Sequence, residues 1–159
     1  MKKISKILIA AAAAVLMLTS CQSKDTEVKE ISVSQLADDM LNATTVVAEL
    51  VEMNDNNIEL LYSAYNSENI EEYKVYACAS KATCEEIAVF KAKTEDNVND
   101  VKGMVEQRVE DLITETRDYN PAEMPKLENP LIMTKGQYVA LVLADDTSKA
   151  EEAFEEAFK

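Results

Sequence analysis

The chain of 159 residues contains no histidine and no tryptophan. Lacking His, it lacks the side chain that ordinarily titrates near neutral pH and the commonest metal ligand. Serine or cysteine catalysis assisted by His is therefore excluded within this chain. Glycine appears twice, and no Gly-rich phosphate loop can be drawn. Basic side chains are scarce too: 16 Lys and Arg stand against 30 Asp and Glu, a formal charge of -14. Such a chain is repelled by nucleic-acid phosphates and by anionic head groups, so nucleic acid is excluded as a partner.

What the N-terminus has is a basic start followed by an apolar run. Lys2, Lys3 and Lys6 precede Ile7 to Leu18, a stretch without charge. As a helix it rises roughly 18 Å, short of a hydrocarbon core of about 30 Å. This is the layout of an export signal rather than of a permanent transmembrane helix. Leu18-Thr19-Ser20-Cys21 closes it. That tetrad resembles the bacterial lipobox, and the resemblance implies diacylglycerol on the Cys21 thiol and cleavage between Ser20 and Cys21. Buried acyl chains contribute about 0.8 kcal/mol per CH₂, and two chains hold where one is marginal. The alternative is a secreted protein with an accidental Cys beside an ordinary cleavage site. No cofactor is expected beyond the covalent lipid on Cys21.

The expected organisation is a signal peptide over 1–20, a lipidated tether over 21–31 and a single domain over 32–159. Gln22 to Glu30 is polar and aperiodic. As a flexible tether it spans roughly 15–18 Å, enough to clear lipid head groups.

Ser32 and Gln35 have capping-box spacing, and Val33, Leu36, Ala37, Met40 and Leu41 share one helical face. Val46 to Met53 is ambiguous between strand and helix. Ile58, Leu61, Tyr62 and Tyr65 suggest a short helix. Tyr73, Val75 and Ala77 alternate as in a half-buried strand, and Glu86 to Lys93 forms a second. Folded as a hairpin about Lys81, these strands bring Val75 opposite Ile87, Tyr73 opposite Val89 and Cys78 opposite Cys84.

Thr94 is placed to cap a long helix, with Val98, Val101, Val105, Val109, Leu112 and Thr116 as its inner stripe. Tyr119-Asn120-Pro121 ends it, and Pro121 to Pro130 reads as a loop. Leu131 to Thr134 is a short strand, Lys135-Gly136 a turn, and Gln137 to Ala144 a central strand. Ser148 and Glu151 cap a last helix with Ala150, Ala153, Phe154, Ala157 and Phe158 inward. The expected class is α+β: an antiparallel sheet of about four strands in β-β-α-β-β-α order, preceded by one or two short helices, with helices mainly on one face.

Glu86-Ile87-Ala88-Val89-Phe90-Lys91, the helix carrying Arg108, the Tyr119-Asn120-Pro121 exit and Gly136-Gln137-Tyr138-Val139 occur in that order. Over roughly residues 32–158 the chain resembles a bacterial lipoprotein family known as a domain of unknown function, number 4358. The resemblance implies a fold and an address, and it brings no catalytic or binding residue with it.

Several motifs carry two readings. Cys78 and Cys84 are either a cross-hairpin disulfide, permitted in an exported domain, or two unpaired thiols near a turn. A redox-catalytic pair is disfavoured because the CxxC spacing is missing. Glu151, Glu152, Glu155 and Glu156 read as a solvated face, with a cation or basic partner as the rival. Asp55-Asn56-Asn57 with Glu59 hints at calcium but lacks the EF-hand spacing and Gly, and no metal ligand set is assigned. Arg108 lies one position from the apolar stripe and either reaches a carboxylate to lock helix to sheet or holds an anionic ligand. Tyr119 and Tyr138 read as packing aromatics with polar tips.

The sequence thus points to a lipoprotein on the outer side of a bacterial cell membrane, acting as a binding or interaction module for an unknown envelope protein or ligand. A cell-envelope enzyme or accessory subunit using carboxylates alone is the alternative; it requires two acids facing each other in a cleft. A small-solute receptor would ordinarily need a second lobe.

Overall fold

The computed structural model describes residues 28–80 and 82–159. The signal segment, Cys21, the first part of the tether and the hairpin pivot Lys81 lie outside the described residues. Within them the chain forms α1 (Val33–Ala43), β1 (Val51–Glu52), α2 (Asp55–Leu61), β2 (Ile70–Ala77), β3 (Glu86–Ala92), α3 (Val98–Thr116), α4 (Met124–Glu128), β4 (Leu131–Lys135), β5 (Tyr138–Leu143) and α5 (Ser148–Ala157). All strand pairs are antiparallel, in the order β1-β2-β3-β5-β4. The α+β class stands, with five strands rather than four. The fifth is β1, from the stretch that read ambiguously.

Helices cover both faces of this sheet, which corrects the one-face expectation. Ala88, Phe90, Val139 and Leu141 pack with Ile58 of α2, with Val101, Met104, Val105 and Val109 of α3, and with Leu127 of α4. Ile87, Val89, Ala140 and Val142 pack with Val33, Leu36 and Met40 of α1 and with Phe154 of α5. Successive residues of a strand point to opposite faces, so β5 and the Ile87-Ala88-Val89-Phe90 run of β3, apolar at every step, need cover on both sides.

The β2–β3 hairpin is shifted by one residue from expectation. Val75 pairs with Ala88, Tyr73 with Phe90 and Tyr76 with Ile87. A slip of one residue exchanges the two faces. Val75 belongs with Ala88 and Phe90, whereas Ile87 and Val89 belong to the α1 side, so Val75 cannot sit opposite Ile87. The register that placed Cys78 opposite Cys84 is lost with it, and both thiols are free in the structure.

Helix ends follow local chemistry, with three adjustments. The Ser32 hydroxyl accepts the Gln35 N–H as expected. Glu95–Asn97 is a 3-10 turn, and Thr94 makes no side-chain cap. The supposed loop after Pro121 holds a 3-10 turn at Pro121–Glu123 and then α4, both admitting Pro in the first turn. At α5, Asp146 rather than Ser148 accepts an orphan N–H, that of Ser148.

The chain enters this sheet at one end. The Ile31 N–H donates to the Tyr138 hydroxyl at 3.0 Å, and Lys91 reaches Glu30 at 2.8 Å. Gly136 turns nearby with φ 53, and a Cβ there would meet Val28 at 2.9 Å. Glycine is required on both counts. Because Lys91 pairs with Tyr138, and Glu86 with Leu143, the opposite end of the sheet is marked by Glu86. The two ends lie about 17 Å apart at a rise of ~3.3 Å per residue.

Candidate functional site

At the Glu86 end a cleft of about 880 Å³ opens between β1, α2, the β2–β3 turn and the C-terminal half of α3. The volume lies within the range of roughly 300–1,000 Å³ usual for binding sites.

Its floor is polar and closed upon itself. Arg108, on α3, donates from Nη2 to Glu86 Oε2 at 2.7 Å, from Nε to the same oxygen at 3.1 Å and from Nη1 to the Leu61 carbonyl at 3.1 Å. The Tyr62 hydroxyl donates to the other Glu86 oxygen. The Glu86 side chain is 1% exposed and that of Arg108 is 11% exposed. A buried carboxylate must be paired and hydrogen-bonded, and here both oxygens are used. Burial pushes the Tyr62 phenol well above its ordinary range, and the charge of Glu86 adds to the rise. The group thus ties β3, α2 and α3 together. Of the two readings of Arg108, the structural one is realised: its guanidinium is engaged with Glu86 and Leu61.

A second network forms the back wall. Lys126, buried on α4, lies 3.0 Å from Glu123, 3.5 Å from Glu85 and 3.8 Å from Asp145. Glu123 also accepts the Cys84 N–H at 3.0 Å and the Thr83 hydroxyl. Burial tends to raise the pKa of Glu123, but the bonds from Thr83, Cys84 and Lys126 outweigh it and hold the group at about 2. Glu85 caps the loop before β1, accepting the N–H groups of Val47 and Ala48 at 2.9 and 3.1 Å. Sequence reasoning singled out none of Tyr62, Glu86, Glu85, Glu123 and Lys126 for this work. The available signal was a Glu-Glu pair abutting an apolar strand, and a Lys set between prolines.

The two cysteines line the same cleft in different states. Burial pushes the Cys84 thiol up to about 12, and the adjacent Glu123 adds to this. Cys78 is lowered, first by its contact with the Ser80 hydroxyl at 3.3 Å and, against some burial, by backbone N–H groups of the turn.

The rim is apolar and open. Val47, Val51, Leu60 and Tyr119 are the exposed large hydrophobic residues among the described residues. Val51, Leu60 and Tyr119 all line this cleft, Leu60 at 82% exposure and Tyr119 at 83%. Tyr119 is therefore not the packing aromatic that was expected, whereas Tyr138 is buried. Among the described residues no group of His, Cys, Asp or Glu is arranged to hold a metal. Asn54 of the Asp55-Asn56-Asn57 region caps α2 through the Asn56 N–H, and the α5 glutamates are exposed.

No curated protein and no solved structure matches the chain. The family described as Domain of unknown function (DUF4358) matches residues 43–144. That segment takes in all five strands and α2 to α4, with every residue lining the cleft, and leaves out α5 and all but the last residue of α1. With more than half of its length matched, the chain belongs to the DUF4358 family.

Proposed function

We propose that this protein is a membrane-anchored extracytoplasmic lipoprotein whose domain acts as an interaction module, with the cleft at the Glu86 end as its binding face. One observation carries the reading: three large apolar side chains stand exposed around a single cleft. Exposed apolar surface gathered in one place marks interaction sites, whereas scattered single residues do not. The hydrogen-bonded floor beneath suits a preformed site, since less ordering is then required on binding.

The anchor argument is separate and rests on Leu18-Thr19-Ser20-Cys21. Diacylglycerol on Cys21 would hold the chain at the membrane. The tether joins the domain beside Tyr138 and Gly136, so the cleft, at the other end of the sheet, would face away from the lipid.

The carboxylate-enzyme alternative finds less support. It needs one acid that keeps its proton near neutral pH. Glu123 is held at about 2, and both oxygens of Glu86 are occupied by Arg108 and Tyr62.

Native electrophoresis of gently solubilised membranes tests the interaction reading. The wild-type chain should migrate in a complex well above the mass of a single chain, and Leu60→Ser/Tyr119→Ser should migrate alone. A wild type that runs alone, or a double variant that keeps the complex, overturns it.

A further inference from the structure

We propose that a partner protein enters the cleft as an extended segment and adds a strand to the sheet at the outer edge of β1. This rests on the interaction reading above and adds the form of the occupant.

β1 stands at one margin of the sheet, with β2 as its neighbour. The hydrogen-bond pattern fixes what its outer side offers. The Met53 N–H donates to the Val75 carbonyl at 2.8 Å, and Val51 stands opposite Ala77. In an antiparallel ladder, bonded and non-bonded pairs alternate. Val51 and Met53 therefore turn their backbone groups to β2, and the N–H and C=O of Glu52, between them, point outward. Among the described residues no other main-chain group takes up either one. The Glu52 side chain is directed elsewhere. Glu52 stands opposite Tyr76, whose hydroxyl donates to Asp38 of α1. The Glu52 carboxylate lies 3.0 Å from Lys74, which itself reaches Ser34 of α1. The side chain is thus on the α1 face, whereas the cleft opens on the face covered by α2 and α3. Glu52 still lines the cleft, and it does so along its main chain.

An unpaired strand edge is a template for another strand, and strand addition is a general mode of peptide recognition. The opposite margin of the sheet, β4, is bracketed by Pro130 and Lys135, residue types that discourage pairing. None of the exposed large apolar residues lies on β4. They gather at β1: Val51 is part of it, Val47 shortly precedes it, and Leu60 and Tyr119 line the same cleft. Val51 shares a face with its pair partner Ala77, which packs in the core beneath α2 and α3. A strand laid ~4.8 Å outside β1 turns every second side chain to that face. The occupant is therefore an extended segment with apolar residues at alternate positions. Its main chain meets Glu52, and its apolar side chains meet Val51 and the rim.

Proline removes a backbone N–H and is tolerated on an edge strand where that N–H faces outward. Glu52→Pro and Glu52→Ala lose the same carboxylate, and the proline variant alone loses the N–H. In native electrophoresis of solubilised membranes, the share of chain in the complex should fall about fivefold from Glu52→Ala to Glu52→Pro, the effect of one hydrogen bond. Far-UV circular dichroism of the two variants should coincide. Hydrogen exchange needs no variant at position 52: the Glu52 amide of the wild-type complex should exchange about tenfold more slowly than in the lone Leu60→Ser/Tyr119→Ser chain. Equal yields of complex from the proline and alanine variants, or equal exchange at Glu52, would overturn strand addition. A complex made only of copies of this chain would overturn the foreign partner. If Glu52→Pro keeps the complex while Leu60→Ser/Tyr119→Ser loses it, strand addition falls and the interaction reading stands. If the rim variant keeps it too, both fall.

Discussion

Arg108 of α3 and Glu86 of β3 meet at 2.7 Å at the floor of the cleft, with the Tyr62 hydroxyl closing the remaining Glu86 oxygen. Three elements are joined at this point, and the cleft walls are set by where they stand. Arg108→Met leaves a buried carboxylate with a single partner. Loss of one member of a buried pair costs about 3–5 kcal/mol, and urea unfolding of the variant should show a loss of that order. Adding Glu86→Leu and Tyr62→Phe should recover most of it, because the uncompensated charge goes as well. No recovery in the triple variant would mean that the network contributes beyond its own satisfaction.

Glu123 makes stability depend on acid pH. Its folded-state pKa, about 2, lies below the ordinary value of 4.5. A depressed carboxylate contributes fully above its unfolded pKa, and the contribution is lost as pH falls through the folded one. Thermal unfolding of the wild type should therefore weaken steeply between about pH 4.5 and pH 2. Glu123→Gln should be less stable at neutral pH, by roughly 2 kcal/mol, and should lose part of that slope. An unchanged slope would show that Thr83, Cys84 and Lys126 do not hold Glu123 ionised.

The thiols are unlike each other. Cys78 is half-buried and lowered, whereas Cys84 is buried and raised to about 12. The thiolate is the reactive form. Iodoacetamide at neutral pH should therefore modify Cys78 in the native protein and Cys84 only after unfolding. Peptide mapping reads both sites. Equal rates, or a Cys78–Cys84 linkage in unreduced protein, would contradict the structure.

For the anchor, Cys21→Ser should abolish incorporation of a clickable fatty acid and leave residues 1–20 attached. Label retained on the variant at another residue would refute lipidation at Cys21.

The sequence was informative where one pattern admitted one geometry. The 3–4 spacing from Val98 to Leu112 gave α3, and Ser32 with Val33, Leu36 and Met40 gave α1. The β2–β3 register failed because β3 is apolar on both faces. Val75 can be matched to Ile87 or to Ala88 with equal hydrophobic sense, and only the helices above and below decide. The same run, Ile87-Ala88-Val89-Phe90, calls for cover on two sides. At the site, Arg108 stood out by its place beside the stripe. Its partner did not, because Glu86 and Tyr62 are brought together across 24 positions, and no local period encodes such a meeting. The exposure of Tyr119 is not legible because a residue just past a helix end has no periodic face to assign it.

The interaction reading stands or falls most directly on contact at the rim in the living cell. A photo-crosslinking amino acid placed at 119, and separately at 152 on the exposed face of α5, reports what touches each. The account predicts a discrete higher-mass adduct from 119 and none from 152. Adducts of equal yield at both positions, or none at 119, would contradict it.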